Sequence, residues 1–360
     1  MKKKIRISRN FINEAVKYAL ALLAVLVIGF IMVKIQGQDA GAAGKALIFG
    51  AVGNASRLGN TIRWVTPYLL TGIAAAVAFR AGIWNMGIGG QLYIGAFAAT
   101  LVGLYCPLPR FILPLLCITA GGVAAMLFTL IPALLKRFLN VSEMITTLML
   151  NYVATLLTTY FTKVISATSA TNTGKATATP LIAEEARLTT LIPRTNASTG
   201  IFIAVALVII VYLIYRYTVA GYEMRQVGSN FRFAKAGGVK TNKMYLSIFL
   251  ASGCIAGVAG AIEILGVYGK FTADFASNIG WDGIMVATIG MYNPLATGVV
   301  GILWGALKSG ALFMEATTET NRLTVEVIQA MFVLFVAIDY QKFFHRRSHR
   351  RALKADREGV

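Results

Sequence analysis

The sequence predicts an all-α polytopic membrane protein of about ten transmembrane helices, and three observations carry that reading. Hydrophobic residues make up 57% of the chain and charged residues 14%, with a mean hydropathy of +0.68, more apolar surface than one soluble core can bury. The apolar residues fall in runs of about 20, the length that spans a hydrocarbon core. The basic residues are gathered instead of spread. Five lie in the first ten residues, two at Lys136 and Arg137, six from Arg216 to Lys243 and seven from Lys342 to Arg357, together 20 of 34. That grouping marks cytoplasmic segments near a bilayer with anionic lipid, and it argues against a nucleic-acid partner despite a net charge of +19. Cys106, Cys117 and Cys254 sit in or beside apolar runs without a CxxC pair, and His345 and His349 sit in the basic tail, so neither residue type points to metal or redox chemistry.

A basic N-terminus and a basic tail, 342–360, both placed inside, require an even number of crossings. The first span, 15–35, has no small-residue cleavage site behind it and is read as retained. An outside segment, 36–60, follows, with a short amphipathic helix expected within it. The second and third spans, 62–79 and 91–105, are separated by RAGIWNMGIGG, too rich in glycine to continue a helix. Pro107 and Pro109 turn the chain into a fourth span, 111–135, which stops at Lys136 and Arg137, and a fifth covers 143–161. The Thr-, Ala- and Ser-rich stretch 162–199 faces outside as an extracytoplasmic loop, for which plain flexibility is the simplest expectation. Spans six and seven, 200–215 and 244–267, flank the basic polar island. The next apolar run, 280–291, reaches only about 18 Å as a helix, short of the ~30 Å core, so it is a half-crossing or is covered by its neighbours. Tyr292, Asn293 and Pro294 break it, and runs 295–313 and 323–340 complete the set.

The two broken places share a layout: an aromatic residue before Asn (Trp84-Asn85, Tyr292-Asn293), a breaker, then a glycine-bearing apolar helix. Interrupted helices in matching positions point to a midplane pathway and a possible internal repeat. No stretch supplies GxxxxGK[ST], since TNTGKAT lacks the upstream glycine and the Ser/Thr after Lys175, so the chain does not bind ATP by that route. Ionisable residues within apolar runs are few: Glu263, Lys308 and Glu326, with Asp282 near an outer end. A Glu263–Lys308 pair stabilising the bundle and an ion-coupling site are both open. Gly253 with Gly257, and Gly301 with Gly305, form GxxxG pairs that let helices approach closely.

The island from Gly221 to Lys243 reads as helix, turn and helix, with Gly228, Gly237 and Gly238 as breaks and Glu223 its lone carboxylate. Met224, Val227, Phe231, Phe233 and Ala234 among its charges suit a compact knob seated in a soluble partner's groove. The stretch GYEMRQVGSNFRFAKAGGV resembles the cytoplasmic coupling segment of permease subunits of ATP-binding-cassette importers for simple sugars and nucleosides. It matches at Gly221, Met224, Arg225, Val227, Gly228, Asn230, Ala234, Gly238 and Val239, and departs at Lys235. AFRAGIWNMGIGGQLYIGAFAA, SEMITTLMLNYVA and GWDGIMVATIGMYNPLATG resemble three further segments of that family, with Ser142 and Thr297 as departures.

The resemblance implies a single transmembrane permease domain over 1–360, with a coupling segment at 219–243, and no enzymatic activity or cofactor of its own. ATP and Mg would be bound by a partner ATPase subunit. A second permease, often a different one, would complete the membrane part, and an extracytoplasmic binding lipoprotein or protein would deliver substrate. The expected location is the bacterial inner membrane, with both termini cytoplasmic. The form W-N-[IM]-G-x-x-G-Q points to the nucleoside branch, which makes Trp84, Asn85 and Gln91 candidates for lining the pathway, with Asn151, Trp281, Tyr292 and Asn293 behind them. An aromatic ring can stack on a base while amides pair its edge; equally, Asn85 and Asn293 can serve only to satisfy broken helix ends. Gly221, Arg225, Gly228, Asn230, Phe231, Ala234 and Gly238 are the expected ATPase-coupling residues. An importer of simple sugars and an ion-coupled secondary carrier are the alternatives.

Overall fold

A computed structural model describes residues 27–29, 31, 33–35, 37, 39–167, 177–276, 278–318, 326, 327 and 330. The described residues up to 47 together with those from 311 onward form one compact unit, and the described residues of 48–310 form the other. In the first, Val33, Ala40, Ala43, Ala311 and Met314 make a small apolar cluster. The expected first and last spans and the basic tail lie largely outside the described residues.

The chain is helical as read: α1 (Ala40–Val52), α2 (Ala55–Arg80), α3 (Ile88–Tyr105), α4 (Leu113–Leu139), α5 (Glu143–Ala167), α6 (Gly200–Tyr217), α7 (Val219–Ser229), α8 (Phe231–Ala236), α9 (Thr241–Glu263), α10 (Ile279–Ile289) and α11 (Pro294–Thr317). Among the described residues, seven of these are long and apolar enough to cross a bilayer, α9 being lengthened by the π-turn Ile264–Tyr268. Helices α1 and α10 are the short apolar ones, so the run 280–291 is a half-length helix as expected. The second span starts earlier than its hydropathy suggests, because Asn54 caps α2 by accepting from the Arg57 N–H at 2.9 Å. Asn140 ends α4 in the left-handed region at φ 51°, a position that favours Gly or Asn. The Lys136–Glu143 ion pair at 3.1 Å then ties the end of α4 to the start of α5.

Helix α2 is the centre of the larger unit, buried along most of its length and packed by α6, α9 and α10. Helix α9 lies against both α3 and α4, and small residues make that possible. A Cβ on Gly257 would run into the Gly121 carbonyl oxygen and Ala125. The backbones therefore touch where side chains would otherwise stand. Gly301 and Gly305 bring α11 onto Leu69 and Val65 in the same way, so both GxxxG pairs are packing devices.

Two expectations need correction. Of the expected loop 162–199, residues 162–167 extend α5, 168–176 lie outside the described residues, and 177–199 is fitted to the helix ends instead of being a plain flexible loop. Ile182 N–H donates to Gly269 O at 2.9 Å, Ala183 N–H to Gly103 O at 3.0 Å and Leu188 N–H to Leu265 O at 3.0 Å. Those carbonyls belong to the ends of α3 and of the π-turn, where intrahelical donors run out. The second correction concerns Glu263, whose partner is Arg63 at 3.2 Å and not Lys308. The Arg63 guanidinium lies 3.6 Å from the Trp64 ring centroid and also donates to the Tyr268 hydroxyl at 3.2 Å.

Candidate functional site

The break between α2 and α3 has no ladder of its own, so its shape rests on side chains. Asn85 is fully buried. Its Nδ2 donates to Gln91 Oε1 and to Ser252 Oγ, both at 2.9 Å, while its Oδ1 accepts from Gly87 N–H and Gln91 Nε2, both at 3.0 Å. Asn85 and Gln91 thus satisfy each other and the broken helix end. Asn151, from α5, holds the other side: its Nδ2 donates to Met86 O at 2.8 Å and its Oδ1 accepts from Gly90 N–H at 2.7 Å.

Beside this knot the N-termini of α3 and α10 meet, with a Cβ on Gly280 falling 2.6 Å from the Gly89 Cα. They frame a cleft of about 150 Å³ lined by Gly89, Gly90, Tyr93, Asn151, Tyr152 and Trp281, with Leu148, Thr155 and Gly280 completing it. Tyr93 fixes one wall, since its hydroxyl accepts from Ala276 N–H at 3.1 Å and donates to Asp274 Oδ1 at 3.4 Å. Of the seven pathway candidates, then, Asn151 and Trp281 line the cleft, and Asn85 and Gln91 brace the loop behind it.

The remaining three gather elsewhere. Phe79 contacts the Trp84 ring at 5.0 Å and the Tyr292 ring at 5.5 Å, which joins the two helix breaks through one aromatic cluster. Met291 and Tyr292 are both in the left-handed region, at φ 49° and 59°, a strained turn for side-chain-bearing residues. Asn293 Oδ1 accepts from Leu295 N–H at 3.1 Å and so caps the start of α11. Asn293→Ala is expected to lower stability by about 1 kcal/mol, the usual worth of such a cap, read as a small fall in melting temperature in detergent. Tyr93, Tyr152 and Thr155 were not singled out from the sequence. The one signal available was their adjacency: Tyr152 follows Asn151, and Tyr93 lies two residues after Gln91.

The polar island forms α7 and α8 in the expected helix–turn–helix order, with one shift. Gly228 lies inside the last turn of α7, and the break falls at Asn230, whose Oδ1 accepts from Phe233 N–H at 3.0 Å to start α8. Gly221, Met224, Val227 and Ala234 face inward, Arg225 is half-buried, and Phe231 and Phe233 are exposed. Gly238 takes φ +84° after α8, a conformation that suits glycine. A Cβ on Gly228 would collide with the Arg80 carbonyl oxygen and lie 3.0 Å from the Ala81 Cα. The end of α7 therefore rests on the turn that opens the α2–α3 break.

A family described as branched-chain amino acid transport system / permease component matches residues 57–336. The chain belongs to this permease family. The permease is also similar to the guanosine ABC transporter permease protein NupP of Bacillus subtilis, 34% identical over 89% of this chain and 92% of the relative. The glucose ABC transporter permease protein TsgB13 of Haloferax volcanii is 30% identical over 94% of this chain and 90% of its own length. The nucleoside ABC transporter permease protein NupB of Lactococcus lactis subsp. cremoris is 26% identical over 91% and 93%. The permease is thus a multi-pass transport component, matching these three relatives over nearly their full lengths.

Proposed function

We propose that this permease is the membrane subunit of an ABC importer of nucleosides, with the cleft between α3, α5 and α10 as one wall of its pathway. The observation that carries the reading is the cleft's chemistry. Trp281 is 44% exposed and offers a ring face, Tyr93 and Tyr152 add aromatic walls, and Asn151 has an amide N–H beyond the one given to Met86. Stacking with edge-on amide pairing is how proteins hold a base. The similarity to guanosine and nucleoside permeases supports the same class.

At about 150 Å³ the cleft is smaller than the ~300 Å³ lower end of ligand pockets. It opens beside the exposed α5 residues Met149, Tyr152, Val153 and Leu156, where polar groups facing lipid would be costly. A second permease, in our reading a different one, covers it. Partner ATPase subunits bind ATP and Mg and grip α7 and α8 through Phe231, Phe233 and the surrounding cations, and an extracytoplasmic binding protein delivers the nucleoside. The protein resides in the bacterial inner membrane with both termini and the α7–α8 segment cytoplasmic.

Co-reconstitution with its ATPase and second permease tests this through ATP-dependent uptake of labelled guanosine against labelled glucose. Guanosine uptake is the expected result, whereas glucose uptake alone would transfer the permease to the sugar branch, which the TsgB13 similarity supports. Trp281→Ala is expected to raise the KM for guanosine about tenfold, within the ~1–3 kcal/mol of one base–aromatic stack.

A further inference from the structure

We propose that Thr147 and Ser252 are positioning residues that clamp the 83–87 loop between α7 and the cleft, so that displacement of α7 reaches the cleft wall without slack. The proposal rests on the functional reading above for what moves α7 and what fills the cleft; the clamp itself is geometric.

One end of the path is a contact between backbones. Gly228 meets the Arg80 carbonyl and Ala81, and a Cβ on Gly82 would in turn stand 3.9 Å from the Gly228 Cα. With no side chain between them, nothing there can bend to absorb a shift of α7. At the other end, Gly89 and Gly90 line the cleft directly after the loop.

Between these ends the loop is irregular, and two buried hydroxyls fix it to neighbouring helices. Thr147 Oγ1 accepts from Met86 N–H at 3.1 Å while donating to Glu143 O at 2.7 Å within α5. Ser252 Oγ accepts from Asn85 Nδ2 at 2.9 Å and donates to Ala74 O at 2.8 Å, which ties the loop to both α9 and α2. Thr147 is 1% exposed and Ser252 fully buried, so water cannot replace either bond. Thr147 and Asn151 stand one helical turn apart on the same face of α5. They grip the N–H and the carbonyl of the same residue, Met86. A group held at both its donor and its acceptor transmits displacement; one held at a single atom can rotate about it.

The test is the ratio of guanosine imported to ATP hydrolysed by the co-reconstituted complex, for wild type, Thr147→Val, Thr147→Ser and Ser252→Ala. Valine keeps the shape of threonine and removes the acceptor; serine keeps the acceptor. The expected result is a ratio lowered about fivefold in Thr147→Val and Ser252→Ala, the scale of one lost buried hydrogen bond, and within about twofold of wild type in Thr147→Ser. Assembly with the ATPase and basal hydrolysis are expected to stay at wild-type levels. Wild-type ratios in both Thr147→Val and Ser252→Ala overturn the proposal. Failure of both to assemble also overturns it, because their role is then structural only. The wild-type arm judges the functional reading separately: if it imports glucose under ATP instead, the same ratio is measured with glucose.

Discussion

Gly228→Val is expected to lower ATP-driven uptake by more than about 100-fold, equivalent to ~2.7 kcal/mol of lost coupling, while the chain still reaches the membrane. The reason is local. A Cβ at this position would overlap the Arg80 carbonyl oxygen, which is backbone at the end of α2 and cannot change rotamer. The end of α7 must then lift away from the α2–α3 turn, and overpacking of this kind typically costs about 1–3 kcal/mol. Helices α7 and α8 otherwise keep their inward residues Gly221, Met224, Val227 and Ala234, so the segment folds but sits displaced. Gly228→Ala adds the Cβ alone and is expected to fall between, at about tenfold. Uptake normalised to membrane abundance checks both, and wild-type uptake in Gly228→Val would remove α7 from the coupling path.

The position of Gly228 also marks how far the sequence can be read. Apolar runs, Gly-rich interruptions and the helix–turn–helix island are local patterns, and those that fall among the described residues reappear as apolar helices, a break or a short helix pair. Asn85 and Gln91, six residues apart, were legible as belonging to a break; that they bond one another and Ser252, and stand behind the cleft instead of in it, depends on where α9 lies. The cleft draws on residues from three helices between Gly89 and Trp281. No periodicity in one helix registers a neighbour nearly two hundred positions away. The same holds for 177–199, whose polar composition suggests a loose loop but whose amide groups find the carbonyls that helix ends leave unpaired.

The second large effect is expected at Arg63 and Glu263. Glu263 and Lys308 both lie within long apolar runs, which leaves a Glu263–Lys308 pair and an ion-coupling site open from sequence; the partner of Glu263 is instead Arg63, in the first half of α2, with the Arg63 and Glu263 side chains 8% and 1% exposed. Removing one member leaves the other charge buried and unpaired, so Glu263→Ala and Arg63→Met are each expected to cost about 3–5 kcal/mol. The double variant Arg63→Met with Glu263→Leu removes both charges and keeps volume, and should recover most of that loss. Melting of the four proteins in detergent gives the coupling energy directly. A double variant no more stable than the singles would mean that Tyr268, which also accepts from Arg63, carries the interaction. Uptake by the double variant then separates two modes of transport. An ion-coupled carrier that used Glu263 would lose uptake with its carboxylate, whereas an importer powered by partner ATPases retains ATP-driven uptake once the bundle is stable. Loss of uptake in a well-folded double variant would return Glu263 to the list of transport residues, with Arg63 as the group that tunes it.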